Sequence, residues 1–109
     1  MKKFCLLLLG LGITTMIAFA ETEMQLTNRM MNECIQNNLC YKADAQLQRV
    51  YVNEYAWRAS AFDDKESIAM FFLKYTKARN NRAVFVEIMS SNTGKKIGTY
   101  NYYNGYKEK

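Results

Sequence analysis

Histidine is missing from all 109 residues of the chain. That absence removes the commonest general acid–base, the usual Ser-His and Cys-His nucleophile systems, and the nitrogen ligands of a zinc site. Proline is missing as well, and no Pro-rich or Ser-rich linker and no internal repeat divides the sequence. Glycine is scarce: of five, Gly94, Gly98 and Gly105 crowd one C-terminal segment. The "NTGKK" of Asn92–Lys96 holds a Gly-Lys pair but lacks the preceding glycine and the strand-to-helix setting of a phosphate-binding loop. The carboxylates Asp63, Asp64 and Glu66 read as helix capping, since a two-carboxylate glycosidase site also needs a cleft that so short a chain hardly builds. No catalytic residue, cofactor or metal is expected, and the chain reads as non-enzymatic.

What is present begins with a leader. Lys2 and Lys3 precede an apolar run from Phe4 to Phe19, and Ala18-Phe19-Ala20 supplies a small-x-small cleavage site, the pattern of a secretory signal peptide over residues 1–20. A membrane anchor fits less well, because the run is short of the roughly 20 apolar residues that spanning takes and Thr14 and Thr15 interrupt it. Cys5 leaves with the leader. The expected location is the periplasm or the exterior, with no transmembrane segment after cleavage.

The mature chain, residues 21–109, is then one small domain, of a size at which a hydrophobic core alone gives limited stability. Two cysteines remain, Cys34 and Cys40, and in an oxidising compartment they are expected to form a disulfide. Residues six apart in a continuous helix lie about 9 Å apart along the axis, beyond the roughly 7 Å a disulfide tolerates, so a helix must end between them. Met24, Thr27, Met31 and Ile35, with Met30 and Cys34 alongside, mark an amphipathic helix over about 22–37, and Asn37-Asn38 is a suitable stop.

"QRVYVNEYAW" is β-branched and aromatic, while Ala43, Ala45, Ala56, Ala59 and Ala61 favour helix; a strand is expected around 47–57, with helix as the rival. Asp63 followed by Glu66 predicts the N-terminus of a helix over 64–79, whose apolar face holds Ile68, Phe71, Phe72 and Tyr75. A strand over 83–89, a turn at "SSNTGK" and a returning strand over 96–103 complete the chain. The fold class is therefore α+β: two helices packed on a short antiparallel sheet ending in a C-terminal β-hairpin, in the order α-β-α-β-β.

The last strand carries "TYNYYNGY", Thr99–Tyr106. As one strand, it puts Ile97, Thr99, Asn101 and Tyr103 on one face and Gly98, Tyr100 and Tyr102 on the other. Tyrosine on both sides with flanking lysines is an edge strand in one reading. In the other it is a contact surface formed by Tyr100, Asn101, Tyr102, Tyr103, Asn104 and Tyr106 with Lys96 at the rim, because tyrosine offers rigid amphipathic area and asparagine adaptable hydrogen bonds. Without Lys2 and Lys3 the charge is thirteen basic against ten acidic residues, net +3, with the excess towards the C-terminus. An acidic protein or a glycan suits that charge as partner; nucleic acid is not expected for an exported chain.

The tail "GKKIGTYNYYNGY" resembles the closing hairpin of small periplasmic immunity proteins of the colicin M type, and the helix-then-hairpin order from Asp63 resembles pentameric toxin B subunits. No functional residue is carried over from either. The expected function is a small exported binding protein of a bacterial envelope, acting as an inhibitor, immunity factor or accessory subunit. The alternative is a glycan- or cell-surface-binding subunit of a secreted toxin or adhesin.

Overall fold

The computed structural model describes residues 22–109, and the leader expected over residues 1–20, Cys5 included, lies outside the described residues. Helix α1 runs Glu23–Gln36 and starts at a reciprocal capping box: Thr22 Oγ1 accepts from the Gln25 amide at 3.1 Å, and the Thr22 amide donates to Gln25 Oε1 at 3.2 Å. Thr27, Met31 and Cys34 form its buried stripe, whereas Met24 and Ile35 are exposed. The helix stops at the two asparagines. Asn38 takes φ 63°, the Asn38 amide donates to Ile35 O at 3.0 Å and the Leu39 amide donates to Cys34 O at 3.2 Å, which together make a Schellman termination. The turn brings the Cys34 and Cys40 Cα atoms to 5.2 Å, and the two sulfurs are bonded.

Strands β1 (Cys40–Asp44) and β2 (Arg49–Val52) form an antiparallel hairpin whose turn is held by Asp44 Oδ1 accepting from the Leu47 amide. Asn53 then ends the strand and caps helix α2 (Glu54–Ala59), its Oδ1 accepting from the amides of Tyr55 at 3.1 Å and Ala56 at 3.2 Å. The single strand expected over 47–57 is thus a four-residue strand and a short helix. Both propensities were present, and one asparagine separates them.

Helix α3 (Phe62–Arg79) begins two residues before the expected start, with Ala61 at the N-cap and no side-chain capping bond. Asp63 and Asp64 still lie in the first turn and Lys77 and Arg79 in the last, complementing the helix dipole. Glu66 does not cap the helix but reaches across to the sheet, where its Oε2 accepts the Tyr106 amide at 3.4 Å, forty residues away.

Strands β3 (Val86–Ser90), β4 (Lys96–Asn101) and β5 (Gly105–Glu108) extend the sheet, whose spatial order is β1-β2-β3-β4-β5. Every pair is antiparallel except β2 and β3, which run parallel. A parallel neighbour needs a long crossover, and residues 53–85, carrying α2 and α3, provide it. Among the described residues, three helices and five strands, in a mixed sheet, replace the two helices and purely antiparallel hairpin arrangement expected; the α+β class stands.

Val50, Val52, Val86 and Ile88 turn to the helical side, where Trp57, Phe72 and Leu73 are fully buried against them, and Trp57 stacks on Phe72 with ring centroids 5.9 Å apart. The opposite sheet face alternates to polar groups: Glu87 Oε1 pairs with Arg49 Nε at 3.0 Å and Glu87 Oε2 with Lys96 Nζ at 3.4 Å. Among the described residues, no helix is long and apolar enough to cross a membrane.

Candidate partner-binding surface

"TYNYYNGY" is not one strand. Thr99–Asn101 ends β4, residues 102–104 form a tight turn, and Gly105-Tyr106 opens β5. Because β4 is flanked by β3 and β5, the edge on this side of the sheet is β5, and the tyrosines separate by environment instead of by alternate faces of a continuous strand. The turn closes with Gly105 at φ 70°, where a Cβ would also meet Glu66 Oε2 at 2.8 Å.

Tyr100 and Tyr106 are core residues, 6% and 3% exposed. Trp57 Nε1 donates to the Tyr106 hydroxyl at 2.9 Å; that hydroxyl donates to Glu108 Oε2 at 3.3 Å, and Lys65 Nζ donates to the same oxygen at 2.6 Å. Burial pushes both phenols above their ordinary pKa, and at Tyr106 the bond from Trp57 opposes that shift. The Tyr106 ring lies over Gly98, where a Cβ would stand 2.6 Å from ring carbon Cε1. Neither tyrosine is open to a partner in this fold.

Tyr102 and Tyr103 are the outward pair, 50% and 98% exposed. Asn101 Oδ1 accepts from the amides of Tyr103 at 3.0 Å and Asn104 at 2.8 Å, so Asn101 braces the turn that presents the two rings. The Tyr102 ring packs edge-on against Tyr100 at 6.0 Å, and Lys77 Nζ lies 5.6 Å from its centroid. Asn104 is exposed beside them. Lys96, the expected rim residue, begins β4, roughly 17 Å from the turn at 3.4 Å per residue, and is engaged with Glu87. The structure therefore brings together Tyr102, Tyr103 and Asn104, supported by Asn101, and separates them from Lys96.

Beside this turn runs a groove between α1 and α3 that sequence reasoning missed. One cavity of about 300 Å³ is lined by Glu23, Leu26, Met30, Met70, Phe71 and Lys74 among others; a second of about 300 Å³ shares Glu23 and Lys74 and reaches Lys77 and Tyr102. Beside the groove the helices are clamped by Arg79, whose guanidinium donates to Thr27 Oγ1 at 3.1 Å, to Tyr75 O at 2.8 Å and to Asn28 Oδ1. The signal was the surplus of apolar residues on the first helix, Leu26 and Met30 beside the Thr27-Met31-Cys34 stripe, more than one packed face needs.

Comparison of the chain with protein-family models, with curated proteins and with solved structures returns no match in any of the three.

Proposed function

We propose that this chain is a small exported, non-enzymatic binding protein of a bacterial envelope, serving as an inhibitor, immunity factor or accessory subunit, and that the Tyr102-Tyr103-Asn104 turn is its partner anchor. The observation that carries this reading is Tyr103, 98% exposed on a turn whose backbone is fixed by two hydrogen bonds to Asn101. A large aromatic held in solvent on a rigid support loses little conformational freedom on binding, which is how tyrosine anchors come to dominate contact energetics. The signal-peptide pattern and the Cys34–Cys40 bridge support export.

Asn104, exposed next to the Tyr103 ring, favours a second reading, in which the aromatic face and the amide hold a sugar and the chain is a glycan- or cell-surface-binding subunit. Affinity capture of the chain from envelope extract, run beside a glycan array, separates the two. A protein that is captured by the unaltered chain and lost with Tyr103→Ser supports the first; glycan signal lost with the same substitution, without a protein partner, supports the second. Capture unaffected by Tyr103→Ser rejects the turn as the anchor.

A further inference from the structure

We infer that the groove between α1 and α3 receives an acidic amphipathic segment of the protein partner, laid down so that apolar side chains enter the groove and carboxylates meet Lys74 and Lys77. This deepens the binding reading above and rests on it. The groove floor is apolar, made by Leu26, Met30, Met70 and Phe71. Two adjoining cavities of about 300 Å³ each suit successive large side chains of one segment better than a single compact ligand. Methionine is unbranched and polarizable, so a lining with Met30 and Met70 adapts to whichever aliphatic or aromatic side chain enters.

Charge selects the segment. Lys74 lines both cavities and Lys77 the second, and among the described residues neither ammonium is held in an ion pair. Lys77 Nζ is also placed over the Tyr102 ring, which joins the groove to the exposed turn. Glu23 is the acidic residue of the lining, common to both cavities; it leaves a net positive rim and disfavours a second carboxylate near the start of α1. A segment with carboxylates along its α3 side therefore satisfies both lysines while its apolar side chains are buried.

The test uses the disulfide-bonded chain labelled at its methionine methyls and three synthetic helical peptides with identical leucines, spaced i, i+4 and i+7, whose remaining residues are all glutamate, all glutamine or all lysine. The glutamate peptide is expected to shift the Met30 and Met70 methyl resonances saturably, to leave Met89 unmoved, and to bind at least tenfold more tightly than the lysine peptide. In the Lys74→Glu, Lys77→Glu chain, checked for an unchanged melting temperature, that preference should reverse. Equal binding of all three peptides, or no methyl shift with any, overturns the inference. So does movement of the same methyls by phosphatidylglycerol vesicles but not by peptide, or by raising the chain's own concentration alone. Tyr103 does not line the groove, so Tyr103→Ser should bind the glutamate peptide like the unaltered chain. A silent groove with intact Tyr103-dependent capture defeats this inference alone; a responsive groove with Tyr103-independent capture defeats the turn alone.

Discussion

Tyr106 accepts a hydrogen bond from the buried Trp57 indole, donates one to Glu108 and covers Gly98 with its ring. Tyr106→Phe keeps the ring and removes the hydroxyl, leaving the Trp57 N–H without its acceptor in the core; a loss of about 1–3 kcal/mol in denaturant unfolding is expected. Glu108 predicts a pH effect. The hydrogen bond from the Lys65 ammonium holds its carboxyl below the ordinary 4.5, against a smaller opposing effect of burial. The folded chain therefore binds this proton less readily than the unfolded chain, so the contribution is fully present above pH 4.5 and is lost as pH falls through the lower folded value. Glu108→Gln should flatten the acid limb of a stability-against-pH curve, measured by thermal melting, without altering its neutral plateau's dependence on pH. For single residues the sequence was legible as to type and not as to depth. It singled out the tyrosines of one stretch, but Tyr100 and Tyr106 differ from Tyr102 and Tyr103 only through the turn at 102–104, which a run of tyrosines and asparagines does not announce.

Among the elements, α1 was legible to within a residue because an apolar stripe and an asparagine stop agree; the capping box at Thr22 and Gln25 went unread. At α3 the body was legible and the cap was not, since Asp63 lies inside the first turn and Glu66 is drawn to β5. Segment 47–57 misled because Asn53 both ends β2 and caps α2, leaving no loop to mark the change of period. The most local covalent device is the bridge across the α1 terminus. It closes a short ring over a turn already formed by backbone hydrogen bonds, and the chain-entropy relation gives it about 2 kcal/mol. The Cys34→Ser, Cys40→Ser chain should accordingly unfold at lower denaturant by about that amount while keeping the native circular dichroism spectrum; loss of the fold altogether would show that the Schellman turn does not form without the bond.

Across the whole molecule, the feature least legible in the sequence is the parallel pairing of β2 with β3, because thirty-three intervening residues separate their ends and nothing local encodes which strands become neighbours. The clamp that sets α1 on α3 is equally remote: Arg79 and Thr27 lie 52 positions apart. Arg79→Ala should cost about 1–3 kcal/mol by removing the guanidinium's bonds to Thr27, Asn28 and the Tyr75 carbonyl, and should increase hydrogen exchange along α1 more than along β3. The placement of the helices in turn fixes the outer surface, where the braced turn and the groove meet at Tyr102 and Lys77. Whether that surface holds a partner through Tyr102 and Tyr103 is decided by the affinity of the Tyr102→Ser, Tyr103→Ser chain for the partner captured from envelope extract, with the melting temperature measured alongside. A loss of about 2 kcal/mol or more, roughly thirtyfold in Kd, is expected in a chain that still melts as the unaltered one does; undiminished affinity in the folded double variant would show that the partner is held elsewhere.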